Sequence, residues 1–247
     1  MPDLALRQSL LRCLQVALEA QPFVQAAWLE GADALGRADE FSDLDLWLDV
    51  TAGSEETALA VVRGAVQTFG PLDVEQERAH PDPFIRQVFY RSAGLPRFLF
   101  VDVCVQTHGR EAAFGPADAS RPLFDRVGVL RQAASPPVDV QAEIAAVLAG
   151  RWRQVLVEKE LRRGHMLEAR GYYHDEVLAP LVRLLRLRHC PEKRDYGLKH
   201  ISVDLPAADL QQLESLYSLT DAEDLLGGVR QVNDWLNELG NDSYSLT

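Results

Sequence analysis

Positive charge is in short supply here: 25 lysines and arginines face 37 aspartates and glutamates, leaving a formal net charge of -12 at pH 7. A protein that grips a nucleic-acid backbone normally presents a concentrated basic surface, so polynucleotides are disfavoured as partners. Arginine-rich stretches near residues 151–163 and 183–199 carry acids or aliphatics between the cations and read as solvated helix faces. Cysteine is scarce too. Cys13, Cys104 and Cys190 lie far apart in apolar surroundings without paired metal spacing, which suits buried reduced thiols better than disulfides or zinc ligands. Long apolar runs are missing, and Leu4 to Ala20 is interrupted by Arg7, Arg12 and Glu19, so neither a membrane span nor a secretory signal is expected. The expected address is the cytoplasm, with no membrane partner.

What is present is enough to fold. A hydrophobic content of 47% supports a proper core in one large domain or two smaller ones. Leu4, Leu10, Leu11, Leu14 and Leu18 follow the helical repeat and predict an amphipathic first helix ending before Pro22. A buried strand is expected over Phe23–Leu29, then a polar loop with Gly31 and Gly36, then an acid-rich alternating strand over Asp43–Val50. Helical spacing returns over Glu55–Phe69. Further strands are expected at Leu72–Glu77, Phe84–Tyr90 and Arg97–Gln106, with a Gly94/Pro96 turn between the last two and a short strand near Leu123–Leu130.

At Ala133-Ala134-Ser135-Pro136-Pro137 strand patterns give way to helical ones, which predicts a domain boundary. Helices are expected at Asp139–Arg163, Leu167–Leu187, Ala207–Leu219 and Asp221–Glu238, the inventory of a four-helix bundle, with Asp221 as an N-cap and Gly240 as a C-terminal stop. The expected fold is therefore α+β: a mixed, largely antiparallel sheet with flanking helices in residues 1–132, followed by an all-α helical bundle in residues 138–247.

Chemistry enters with the strand acids. Strand residues two apart share a face, so Asp43 and Asp45 project side by side while Leu44 and Leu46 turn inward. Neighbouring carboxylates repel, and a divalent cation offsets that; oxygen-only ligands favour magnesium or manganese over zinc. On this triplet alone, a strand edge with acids facing water fits equally well. Two features add weight. Gly31, in Leu29-Glu30-Gly31-Ala32, lets backbone N–H groups close on phosphate oxygens, although an ordinary strand-ending glycine would look the same. Asp102 stands alone in the apolar run Phe98-Leu99-Phe100-Val101-Asp102-Val103-Cys104-Val105, and a buried aspartate needs a paired cation or a metal.

Gly31, Ala32, Asp43, Leu44, Asp45 and Asp102 resemble, in order and spacing, the signature of the nucleotidyltransferase superfamily shared with DNA polymerase beta. The approach segment Gly36 to Leu46 and the stretch Pro122 to Leu130 resemble its aminoglycoside- and kanamycin-nucleotidyltransferase-like branch; the helical half is similar only in layout. The resemblance implies that Asp43, Asp45 and Asp102 are the catalytic, metal-binding acids. It places Gly31, Ala32 and Ser42 against the nucleotide, and implies Mg2+ (or Mn2+) as cofactor with a nucleoside triphosphate, ATP first, as co-substrate. It further implies transfer of a nucleoside monophosphate to a hydroxyl of a small-molecule acceptor, such as an aminoglycoside-like antibiotic. Ala32 departs from the family's usual serine, which removes a hydroxyl contact to the phosphates.

Lys193, Arg194 and Lys199 are candidates for completing a phosphate clamp, and ordinary loop charges would look the same. Glu158, Asp175 and Glu176 are candidate general bases that sequence does not rank. His174 with Tyr172 and Tyr173 could line an acceptor pocket, although an aromatic stripe on a helix is more often core packing. Two other classes stay open: a polymerase-like or RNA-modifying transferase, which the missing basic surface disfavours, and an antitoxin-like or regulatory protein that binds or modifies a protein partner. A homodimer is also left open.

Overall fold

The computed structural model describes residues 2–110, 112–114, 119–132 and 137–242. The chain divides into two compact units, Met1–Ser135 and Pro136–Thr247. Most of the expected linker, residues 133–136, lies outside the described residues.

In the first unit α1 (Pro2–Glu19) precedes β1 (Val24–Leu29), the one-turn helix α2 (Gly31–Ala34), β2 (Leu44–Val50) and α3 (Glu55–Gln67). Then come β3 (Leu72–Ala79), β4 (Ile85–Ser92), β5 (Val101–Thr107), β6 (Ala112–Phe114), β7 (Arg121–Asp125) and β8 (Leu130–Gln132). Six strands form one mixed sheet in the order β3-β4-β5-β2-β1-β7. Only β2 and β5 run parallel; the other pairings in this sheet are antiparallel. Period-two burial explains the layering. Leu44, Leu46 and Leu48 of β2 and Val101, Val103 and Val105 of β5 join Leu10, Leu14 and Leu18 of α1 and Val62 and Val66 of α3 in one core. The alternate residues are left for the opposite face.

Two strand expectations need correction. The strand expected from Arg97 begins only at Val101, because Leu99 N–H donates to Pro96 O (3.0 Å) and Phe100 N–H to Phe98 O (3.1 Å), holding the chain in a turn. The single strand expected near Leu123–Leu130 is two pieces, β7 and β8, separated by a turn built on Asp125. That carboxylate accepts from the amides of Val127, Gly128, Val129 and Leu130 at 2.8–3.3 Å. Burial alone would raise its pKa, and the four amides outweigh burial and hold it below the ordinary value.

The second unit contains helices and no strand among its described residues. The expected continuous helices are broken. The first is α4 (Val140–Gly150), a 3₁₀ stretch at Arg151–Gln154 and α5 (Val155–Arg162); the second is α6 (Met166–Tyr172), a π-helical stretch at Tyr173–Leu178 and α7 (Ala179–His189). α8 (Ile201–Asp204), α9 (Ala207–Tyr217) and α10 (Ala222–Asp242) follow, so Gly240 lies within the last helix rather than stopping it. Val157, Leu181, Leu185, Leu216 and Leu236 meet in this unit's core. No helix among the described residues is long and apolar enough to cross a membrane.

Candidate active site

The face of the sheet turned away from α1 and α3 carries the acids. Asp45 of β2 and Asp102 of β5 are direct register partners across the parallel pair. Asp43 stands one residue before β2 begins rather than inside it. Its carboxylate is close enough to act on Asp102: burial first, and then the charge of Asp43, push the Asp102 carboxyl above its ordinary pKa. Gln87 of β4 opposes this, its Nε2 donating to Asp102 Oδ1 (2.9 Å) and Oδ2 (2.8 Å). Asp45 and Asp102 are thus opposed across the strand pair, and the charge of Asp43 is felt at Asp102.

Behind them lies Cys104. Its thiol is pushed up by burial first, and then by the charges of Asp102, Glu30 and Asp45. Glu30 is a further acid at the site. Its backbone N–H donates to Asp45 O (3.0 Å), and its Oε1 accepts from the indole of Trp28 (3.0 Å). Trp28 stacks on Trp47 (5.8 Å between rings), and His80 meets Trp47 edge-on at 6.0 Å. Phe41 and Phe98, two and four residues ahead of the acids Asp43 and Asp102, form an exposed edge-to-face pair at 5.6 Å.

Gly31 opens α2 with φ of +59°, and a Cβ there would lie 2.0 Å from Asp45 Oδ2. Glycine is therefore required both by the left-handed backbone and by the carboxylate packed against it. Gly31→Ala is expected to lower stability by about 1–2 kcal/mol from the backbone alone, and to displace Asp45 as well. Thermal unfolding checks it, and an unchanged midpoint would show that the turn relaxes freely. Ala32 follows in the same turn, its carbonyl accepting from Arg37 N–H (2.9 Å). Ser42, expected at the nucleotide, uses its hydroxyl in a local turn: Oγ donates to Asp39 Oδ1 (2.8 Å) and accepts from Asp39 N–H (3.0 Å).

The donor set is all oxygen, as magnesium and manganese prefer. Among the described residues no group of three or more His, Cys, Asp or Glu side chains is drawn together tightly enough to hold a metal ion. A magnesium ion commonly takes only one or two protein carboxylates and completes its shell with water and substrate phosphates. The opposed pair Asp45 and Asp102, with Asp43 beside it, fits that mode and not a closed protein cage.

The second-unit candidates are largely committed locally. Lys193 Nζ pairs with Asp204 Oδ1 (2.5 Å), and Arg194 lies 3.6 Å from both Glu143 and Asp195. Lys199 rests over the ring of Tyr196 (5.9 Å). Glu158 pairs with Arg162, and Glu176 with Arg153 (2.6 Å). Tyr173 is core, its hydroxyl donating to Leu216 O (3.3 Å), while His174 faces Tyr217 at 5.4 Å. Asp175, on the π-helical stretch, lines a cleft of about 570 Å³ with Glu143, Arg153 and Arg183.

No family model matches this chain, and no curated protein does. Among solved structures it is similar to an aminoglycoside 6-adenyltransferase from Bacillus subtilis, with 13% identity over 93% of this chain and 87% of that one and a TM-score of 0.42. It is also similar to JHP933 from Helicobacter pylori (15% identity, 97% and 95% coverage, TM-score 0.30). A third is the spectinomycin adenyltransferase AAD(9) from Enterococcus faecialis, solved with ATP and spectinomycin (13% identity, 94% and 97% coverage, TM-score 0.30).

Proposed function

We propose that the acid face of the first unit is the active site of a nucleotidyltransferase that passes a nucleoside monophosphate from a triphosphate to a hydroxyl of a small molecule. The observation that carries this reading is the opposition of Asp45 and Asp102 across the parallel strand pair, with the charge of Asp43 felt at Asp102. Neighbouring carboxylates on one face repel one another, and a bound cation would offset that repulsion. The bond that forms joins the acceptor oxygen to the α-phosphorus; the bond that breaks releases pyrophosphate. Such a transfer rests mostly on alignment and charge neutralisation.

Asp43, Asp45 and Asp102 would hold Mg2+ or Mn2+ together with triphosphate oxygens, and the metal would supply charge neutralisation at the phosphates and a lowered pKa at the acceptor hydroxyl. The protein's own contribution is orientation. Gly31, packed against Asp45, and Ala32 would offer backbone N–H groups to the phosphates, and Gln87 donates to both oxygens of Asp102. The acceptor we favour is a small hydroxylated cation, an aminoglycoside being one such molecule, because a net charge of -12 attracts cations and repels polynucleotides.

The test is calorimetry with ATP and magnesium on wild type and Asp45→Asn. The metal should bind wild type appreciably only with nucleotide present, since the triphosphate completes the shell, and that heat should vanish in the variant. Equal heats in both proteins would move the site elsewhere.

A further inference from the structure

A cation in the core stripe of α1 is the feature that the acids do not explain. Arg7 lies one helical turn before Leu10, on the stripe that Leu10, Leu14 and Leu18 bury against the sheet, and it is only 5% exposed. A guanidinium there needs a full set of acceptors. Three acceptors meet it: Nη1 donates to Ser42 O, Nη2 donates to Asp43 O (2.6 Å), and Nη2 also pairs with the buried carboxylate of Asp33 on α2. Arg121 lies 3.5 Å from the other oxygen of Asp33.

One side chain thus ties three things to α1: the turn that Gly31 opens, and the two backbone carbonyls leading into β2. The second of these carbonyls belongs to Asp43, whose own carboxylate acts on Asp102. We propose that Arg7 is a positioning residue of the active site, holding the peptide that carries Asp43 in register with Asp45 and Asp102 while fixing the Gly31 turn beside them. This rests on the nucleotidyltransferase reading of the acid face. The planar fork matters, because it reaches separate acceptors at fixed angles, whereas an ammonium is a point charge on a flexible stem.

Two variants separate positioning from folding. Arg7→Lys keeps a cation for Asp33 but cannot span both carbonyls and the carboxylate. The pair Arg7→Met with Asp33→Asn removes both buried charges, so no orphan charge is left to unfold the unit. Three readouts are taken on the full chain: thermal midpoint, amide hydrogen exchange over residues 37–44, and steady-state transfer from ATP with magnesium to a pooled set of hydroxylated acceptors. In Arg7→Lys the midpoint should stay near wild type, exchange at Ser42 and Leu44 should quicken, and kcat should fall about 100-fold with acceptor KM little changed, the size expected for an ångström-scale misplacement.

Wild-type exchange and wild-type kcat in both variants would overturn the proposal. So would a loss of kcat with unchanged exchange, which would mean that Arg7 acts by charge and not by holding the loop. Wild type that transfers nothing and binds no nucleotide would sink the nucleotidyltransferase reading instead; exchange in the variants still decides whether Arg7 clamps this loop.

Discussion

Asp102→Asn is expected to abolish transfer, with kcat down by about 1,000-fold or more through loss of the metal's charge stabilisation, while the protein becomes more stable rather than less. The two effects have one origin. Burial and the nearby charge of Asp43 raise the Asp102 pKa, so at neutral pH its ionised form is held against a cost. A carboxyl raised in the fold makes its stability penalty in full above the folded pKa, and the penalty disappears as pH falls below the unfolded value of about 3.9. Asparagine keeps the shape and a partner for Gln87 without the charge, so the variant should melt higher than wild type at pH 7 and the gap should close in acid. Acceptor KM should change little, because the lost interaction acts on the activated hydroxyl in the transition state. An aspartate in a purely structural role would give the opposite sign in the melt. Wild-type activity in Asp102→Asn would remove it from the chemistry.

The acid face was legible because strand alternation is a strict rule: once Leu44 and Leu46 are inside, Asp45 must be outside, and the same holds for Asp102 between Val101 and Val103. Register was not legible. That Asp45 meets Asp102 directly depends on a long-range parallel pairing, which no local pattern encodes. Gln87 was missed for the same reason, reaching Asp102 from the next strand, and glutamine in a strand carries no signal of its own. Glu30 stood next to Gly31 in plain view, but its place at the site comes from the backbone bond to Asp45. Arg7 did leave a signal. A cation on the apolar stripe of an amphipathic helix is an anomaly that asks for a buried partner, and reading it only as an interruption of an apolar run overlooked Asp33. In the second unit, composition announced helices, but not their breaks: Gly150 directly precedes the 3₁₀ stretch at Arg151–Gln154, and Pro180 has no N–H for the carbonyl of Glu176 within the π-helical stretch at Tyr173–Leu178.

The second unit should show the largest stability effect at Asp204. Arg186 of α7 is fully buried, with Nε donating to Gly197 O (2.7 Å), Nη2 to Lys199 O (2.5 Å) and Nη1 to Asp204 Oδ2 (3.0 Å). Lys193 Nζ takes the other oxygen of Asp204 at 2.5 Å. One carboxylate therefore pairs with two cations and fastens residues 190–204, the segment that held the candidate clamp cations, onto α7. Asp204→Asn leaves a buried guanidinium without its counter-ion, a loss of about 3 kcal/mol or more, and should lower the thermal midpoint by roughly 10 °C or more for a unit of this size. Burial raises the Asp204 pKa, and the hydrogen bonds from Lys193 and Arg186 outweigh it, so the net shift is downward. The carboxylate's contribution is then fully present above the unfolded value of about 3.9 and is lost as pH falls through the lower folded pKa. Melting followed by far-ultraviolet circular dichroism should accordingly show the widest gap between wild type and variant at neutral pH and a narrowing gap in acid. A variant that melts with wild type at pH 7 would mean that the two backbone carbonyls alone satisfy Arg186.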